Sequence, residues 1–437
     1  MDWSVIGIIL SLAFIVILAL RGWHIIVIAP LAVIIVSILS NMNIMETLTG
    51  PYMKGFTNYA GKFYLVFLAG SLFGKFMEDG QAARSIADGI LKVTGRDSPM
   101  RVMLSISVVT LCLTYGGVNL WVVIFAVIPI ARPLFKETNL SWHLFMAAFI
   151  FGAASITMTM LPGTPSIQNI MPTKYMASTA YAAPLVGLTG AAVVIVFNFF
   201  YFRYILRKSK ERGEVYEEPA AGVLGAGVPA SGPMPYVWFS LVPPVIVLLL
   251  LNIDLPYVKR DPVVALTGGV VACIILFWKY YANIVDTLCK GALNTVVPIV
   301  NTCADVGYGM AVAATTGFKL VSSWLLTLPM NPIVSLAIAT NIMAAITGSA
   351  SGGLGIIMET LVPKYLALGL NPNLIHRIAT MACGAFDAMP HNGAVITMLA
   401  VAGLTHKEAY KHFFFGHVIA DTIGLILAIP VGIWIYS

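Results

Sequence analysis

Apolar residues run along the chain in blocks, separated by short polar joints. A helix that crosses about 30 Å of hydrocarbon needs roughly 20 of them. Ten blocks qualify, at about 4–20, 24–40, 60–77, 142–180, 184–203, 236–252, 263–280, 291–313, 371–403 and 412–434, and those at 142–180 and 371–403 are interrupted part-way. Two further stretches, about 102–132 and 331–367, are split by glycine-rich polar sequence, Thr114-Tyr115-Gly116-Gly117-Val118-Asn119 and Thr347-Gly348-Ser349-Ala350-Ser351-Gly352-Gly353. Their arms hold only 13 to 15 residues. At 1.5 Å per residue such an arm reaches roughly 20 Å, to the midplane and not across. Both stretches are therefore expected to be re-entrant hairpins.

The cations separate a hairpin from one long tilted span. With ten spans, two hairpins and both termini outside, 17 of the 25 lysines and arginines fall on the inner side. The other eight, Lys54, Lys62, Lys174, Lys259, Arg260, Lys319, Lys364 and Arg377, lie outside or near the outer ends of spans. If both hairpins crossed, the tally would become 12 against 13. The positive-inside rule thus favours hairpins and extracytoplasmic termini. The first apolar run has neither a basic n-region nor a small-residue cleavage site, so it is expected to stay as a span.

The longest polar stretch, 209–235, carries charges and then a run of Pro, Ala, Gly and Ser with nothing to pack, which reads as a flexible cytoplasmic linker. On either side, residues 1–208 and 236–437 present the same order of elements: spans, a hairpin, an interrupted span and a last span. Five spans per half is an odd number, so the second half enters from the opposite face. The expected fold is an all-α polytopic membrane protein built from two inverted-topology repeats, as in secondary transporters. The distance from hairpin tip to helix break is also similar, 46 residues from Gly116 to Pro162 and 38 from Gly352 to Pro390.

Composition agrees with a membrane protein: 59% of residues are hydrophobic and 10% charged, with a mean hydropathy of +0.89. The net charge of +6 comes from cations at the ends of apolar segments, not from a basic arm, so no nucleic acid is expected as a partner. The five cysteines, Cys112, Cys273, Cys289, Cys303 and Cys383, show no CxxC spacing and are expected to be inert core residues, with neither disulfide nor metal site.

The chemistry is expected at four backbone breaks: the two hairpin tips and the interruptions at 161–169 and 387–393. Each break frees amide and carbonyl groups at membrane depth, where helix N-termini hold an anion without a fixed cation. No lysine or arginine lies in any of the four. Candidate substrate contacts are Thr114, Tyr115, Gly116, Gly117 and Asn119 at the first tip, and Gly163, Thr164, Ser166 and Asn169 at the first break. In the second half they are Thr347, Gly348, Ser349, Ser351, Gly352 and Gly353 at the tip, and His391 and Asn392 at the break. Each could equally be a small or polar residue that lets helices pack closely. Ionisable residues within the bilayer are functional candidates because burying one costs roughly 2.5–3.5 kcal/mol on insertion scales. Asp387, His391 and Asp305 are read as ion-coupling groups. Glu359 sits on the returning arm of the second hairpin, and His417 and Asp421, four apart on the last span, read as a self-neutralising structural pair.

The residues from Thr347 to Gly353, together with Asp387-Ala388-Met389-Pro390-His391-Asn392-Gly393-Ala394-Val395-Ile396-Thr397, resemble the gluconate permease family, and within it the hydroxybutyrate permeases. The resemblance is clearest from about Asn341 to His417. It implies an ion-transporter-superfamily fold of elevator type, a homodimer, and uptake of a small organic anion such as gluconate or hydroxybutyrate across the bacterial inner membrane, coupled to protons. The chain lacks the paired Ser-Asn-Thr hairpin motifs of the sodium-dicarboxylate branch, which speaks against sodium coupling.

An enzyme is not expected. There is no GxxxxGK[ST] loop, no HExxH and no GxSxG elbow, and no cofactor is implied. The alternatives to a proton-coupled symporter are a sodium-coupled carboxylate transporter and an anion channel, since hairpin tips also build selectivity filters.

Overall fold

The computed structural model describes residues 2–436 except 22, 83–84, 87–88, 90–91, 93–97, 118–119, 219–232, 253–260, 328–329 and 391. Among the described residues there are helices and loops and no strand. The helices that frame the interior are α1 (Trp3–Leu20), α2 (Ile25–Leu39), α3 (Met53–Asp79), α4 (Pro99–Tyr115), α5 (Leu120–Glu137) and α6 (Leu144–Ile150), which runs on as a π-helix over Phe151–Met160. Then come α7 (Pro184–Glu211), α8 (Val242–Asn252), α9 (Pro262–Phe277), α10 (Val296–Ala313), α11 (Pro332–Thr347), α12 (Ala350–Thr360), α13 (Pro372–Cys383) and α14 (Gly393–Ala402). The chain ends with α15 (His406–Phe413), a π-helical turn over Phe414–Ile419, and α16 (Ala420–Tyr436).

Local sequence starts many of these helices. A side chain that caps the free amides is followed by proline at the first helical position in Ser98-Pro99, Asp261-Pro262, Asn331-Pro332 and Asn371-Pro372. Proline loses nothing there, because that amide has no partner inside the helix. A reciprocal Thr405–Glu408 capping box opens α15.

Helix α7 packs on α16, α3 on α10, α11 on α12, and α4 on the π-helix 151–160. The last contact is made backbone to backbone. A Cβ at Gly152 would lie 2.1 Å from the Ser107 carbonyl oxygen, so only glycine permits the crossing. Large apolar side chains such as Ile9, Ile17, Leu249, Ile275 and Trp324 point outward, as a surface in contact with lipid requires. By length and composition, Pro184–Glu211, Val263–Tyr280 and His406–Tyr436 can cross a bilayer; the other apolar helices among the described residues are shorter.

Several expectations change. The first interrupted span has no helical second arm: after the break come only Ile167–Ile170, a 3-10 turn at Met171–Lys174, and a loop to Ala183. Pro162, Pro165 and Pro172 supply no amide hydrogens, and Gly163 takes a left-handed φ of 81°, so a helix cannot run through. The block at 60–77 begins earlier, at Met53, and that at 412–434 is one continuous helix from His406. The arms of the first hairpin are longer than expected, 17 and 18 residues. Arg377 is fully buried, and Cys112 and Cys289 are exposed, not core. The linker's glycine-rich centre lies outside the described residues, but its start is anchored: Glu214 bonds His143, and the Tyr216 amide donates to Asn139 Oδ1.

Candidate functional site

A cavity of about 200 Å³ gathers all four breaks. Its wall takes Thr114 and Gly117 from the turn between α4 and α5, and Pro165 to Gln168 from the first break. It takes Gly348 to Ser351 from the turn between α11 and α12, and Asp387, Ala388 and Asn392 from the second break. Helix α3 closes one side with Val66, Phe67 and Gly70, and Asp305 of α10 and His417 of the second π turn complete it.

Each turn carries a glycine at positive φ among its described residues. Tyr115 ends α4 and Gly117 adopts φ 90°, while Gly348 ends α11 at φ 58° and Ser349 caps α12 by accepting from the Gly352 amide at 3.2 Å. The first turn is fixed to its own break: Thr114 Oγ1 lies 2.7 Å from Thr157 Oγ1, and the Tyr115 hydroxyl donates to the Pro162 carbonyl at 3.4 Å. In the first break Ser166 donates to the Met158 carbonyl at 2.7 Å and caps the short helix that follows. Asn169 faces away from the cavity and donates to the Thr164 and Ala180 carbonyls, both at 2.9 Å.

Helix α13 grips this strap from behind. His376 Nε2 is 3.3 Å from Asn169 Oδ1, Thr380 donates to the Gln168 carbonyl at 3.1 Å, and Arg377 donates to the Ala182 and Ala180 carbonyls at 2.9 and 3.1 Å. The Ala180 carbonyl thus takes hydrogen bonds from Gly163 N, Asn169 and Arg377 together. This network gives a loop buried in protein the partners that water would otherwise supply.

In the second break Asn392 donates to the Asp387 carbonyl at 2.7 Å and caps α14 through the Ala394 and Val395 amides. Asp387 Oδ1 stands 3.2 Å from His417 Nε2. On its other edge His417 Nδ1 meets Ser155 Oγ at 2.6 Å and Asp421 Oδ2 at 3.4 Å. His417 therefore does not merely neutralise Asp421; it links a fully buried carboxylate to one on the cavity wall. On the α3 side, Lys62 Nζ holds Glu359 Oε1 at 2.7 Å and the Tyr175 hydroxyl at 2.6 Å, tying α3, the strap and α12 together.

Of the residues selected from sequence, Thr114, Gly117, Ser166, Gly348, Ser349, Ser351, Asn392, Asp387 and Asp305 line the cavity. Tyr115, Gly116, Gly163, Thr164, Asn169, Thr347, Gly352 and Gly353 stand behind the wall and shape the turns. Asn119 and His391 lie outside the described residues. Sequence reasoning missed the α3 wall and His417's link to Asp387, 30 residues away. Only the Asp421 spacing marked His417 as unusual.

The sequence profile of the citrate transporter family, CitMHS, matches residues 12–303, well over half of the chain. The chain belongs to the citrate transporter family. It is 32% identical to the uncharacterized transporter YxjC of Bacillus subtilis (strain 168), over 94% of this chain and 95% of that protein. An uncharacterized transporter of Haemophilus influenzae (strain ATCC 51907 / DSM 11121 / KW20 / Rd) is 25% identical over 79% of this chain and 78% of its own. In three dimensions the chain resembles the crystal structure of the Alcanivorax borkumensis YdaH transporter, with a TM-score of 0.54 and 14% identity over 90% of this chain and 88% of that one. That likeness shows a shared fold. This member of the citrate transporter family is thus a helical membrane transporter, and the family shown is the citrate transporters where the sequence resemblance points to the gluconate permeases.

Proposed function

We propose that this protein is a secondary transporter that takes up citrate or a related small hydroxy carboxylate, driven by protons. The observation that carries the reading is the single cavity where both interhelical turns and both helix breaks meet. Helices α5, α12 and α14 all begin at its wall, at Leu120, Ala350 and Gly393. Their positive dipole ends suit a carboxylate, and the hydroxyls of Thr114, Ser166, Ser349 and Ser351 suit a hydroxy acid. Among the described residues no lysine or arginine lines the cavity, while Asp305 and Asp387 do. A polyanion held there needs a cation with it, and the Asp387–His417 pair gives a proton a place at the substrate's edge. That pair takes the coupling role expected of Asp387 with His391.

The order of turn and break in both halves supports inverted repeats at 1–208 and 236–437, with the linker in the cytoplasm and both termini outside. Movement is of elevator type, in a homodimer in the inner membrane; mass measurement in detergent checks the dimer.

Proteoliposomes given labelled citrate and an inward proton gradient without sodium should accumulate it, and a protonophore should abolish accumulation. Unlabelled gluconate and 3-hydroxybutyrate as competitors rank the hydroxy acids. Uptake that needs sodium and ignores the protonophore would overturn the reading.

A further inference from the structure

The His417 ring has a carboxylate on each edge, and the two carboxylates differ in their surroundings. Nε2 stands 3.2 Å from Asp387 Oδ1, while Nδ1 stands 2.6 Å from Ser155 Oγ and 3.4 Å from Asp421 Oδ2. The Asp387 side chain is 17% exposed and lines the cavity, whereas that of Asp421 is 0% exposed. Three parts of the chain supply these groups: the second break, the π-helix 151–160, and the π turn that runs into α16. Such π-helical segments are rare and recur at functional sites, and Ser155 and His417 each sit in one.

Asp421 is the unusual member. Both of its oxygens are buried, and the polar groups that face them are the His417 ring and the Ser155 hydroxyl. Among the described residues no other donor reaches either oxygen. A carboxylate cut off from water needs donors, so Asp421 depends on these two. Both serve it when Ser155 turns its O–H toward Asp421 and the His417 Nδ1–H lies between the Ser155 oxygen and Asp421 Oδ2. Asp387 has no such dependence, because it opens on the cavity. The two ring nitrogens are therefore not equivalent: the proton on Nδ1 is held in place, and Nε2 is the nitrogen free to gain and lose one.

The charges that face His417 are Asp387 and Asp421, and the Gly384 backbone also faces the ring. Asp387 is faced in turn by Cys383 and Tyr410, which carry no charge near neutral pH. A proton added at Nε2 thus makes an imidazolium between two carboxylates, with no cation among these neighbours to oppose it.

We propose that Asp421 is the positioning residue of the coupling site: it fixes one His417 proton at Nδ1, so that the coupling proton binds at Nε2, between the ring and Asp387 at the cavity. The inference deepens the proton-coupled reading given above and rests on it. When the cavity faces the acid side, a hydronium ion there gives its proton to Nε2; one O–H bond breaks, one N–H bond forms, and water is left. When the cavity faces the other side, that N–H bond breaks and the proton passes to water. The Nδ1–H bond stays intact throughout.

Two measurements test this. Solid-state NMR of protein labelled with heavy nitrogen in histidine, with the His417 signals identified by their loss in His417→Gln, reports which ring nitrogens carry a proton. From neutral to alkaline pH, His417 should show a proton on Nδ1, with or without one on Nε2. A bare Nδ1 beside a protonated Nε2 overturns the proposal. The second measurement is the pH profile of citrate accumulation in proteoliposomes at a fixed inward pH difference. Removing the Asp421 charge makes His417 harder to protonate, so in Asp421→Asn half-maximal uptake should move to more acid pH by about one unit or more. A role confined to folding lowers uptake by one factor at every pH and leaves the midpoint in place, and that outcome also overturns the proposal. Should Asp421→Asn fail to fold, the wild-type nitrogen signals decide alone. Wild-type citrate uptake that ignores the proton gradient defeats the proton-coupled reading and the role of Nε2 with it, whereas a proton on Nδ1 would still show Asp421 orienting the ring.

Discussion

Arg377 carries its guanidinium into a place where main-chain carbonyls, not a carboxylate, receive it. Two of its nitrogens bond Ala180 and Ala182, and Nη1 is buried without a partner. Hydrogen bonds from a charged donor contribute about 1.5–3 kcal/mol each, so Arg377→Met should lower the thermal unfolding midpoint in detergent. Because Arg377 also steadies the strap that presents Ser166 to Gln168, the same variant should raise the KM for citrate more than it lowers the maximal rate. At Asp387 the expected effect differs. Asp387→Asn leaves a side chain of the same shape facing His417 but removes the charge, so proton-driven accumulation should be lost at unchanged membrane insertion. Full accumulation by both Asp387→Asn and His417→Gln would remove the pair from the mechanism. The sequence marks Asp387 and Asp305 by their rarity among apolar residues, but gives no sign that Arg377 is buried. Hydropathy counts a charge without seeing carbonyls that arrive from residues 180 and 182.

Helices α11 and α12 illustrate how a glycine-rich turn divides its work. A Cβ at Gly353 would sit 2.5 Å from the Ala344 amide nitrogen, whereas at Gly352 the nearest atoms are Ser349 side-chain atoms at 3.2 Å. Gly353→Val should therefore prise the two helices apart and reduce the folded fraction recovered by size-exclusion chromatography, while Gly352→Ala should be recovered at wild-type yield. Ser349→Ala removes the cap of α12 and should cost about 1 kcal/mol. At this scale the turns and the second break are legible, because Gly, Ser, Pro and Asn mark them locally. The missing second arm of the first broken helix is not, since a stretch such as Ile167 to Met171 reads as apolar whether it is helix or buried loop.

Across the molecule, Lys62, Tyr175 and Glu359 join three elements that each line the cavity: α3, the strap and α12. Lys62 is about one helical turn from Val66 and about two from Gly70 on the cavity wall, so opening this contact should widen the cavity on that side. The pair is partly exposed, 41% and 29% at its side chains, and such pairs are worth up to about 1 kcal/mol. Lys62→Gln should therefore speed the reaction of Ser351→Cys with an impermeant maleimide from the extracytoplasmic side, by about fivefold at most. An unchanged labelling rate would mean that the contact does not gate the cavity. Sidedness is checked by Lys210→Cys, which should react with the same reagent only from the cytoplasmic face.

The sequence by itself determined that the chain is helical and lives in a membrane, and where its backbone must break, because apolar runs, proline, glycine and capping side chains act over a few residues. It also marked many residues of the cavity, since polar side chains among apolar ones are rare enough to stand out. Only the tertiary structure decided which polar groups meet: Asp387 with His417, Lys62 with Glu359, Arg377 with the strap, and His143 with His412 and Glu214. Most of these partners are 30 or more residues apart in the chain. No local propensity couples such positions; they come together when helices pack and the buried groups must find partners within hydrogen-bonding reach.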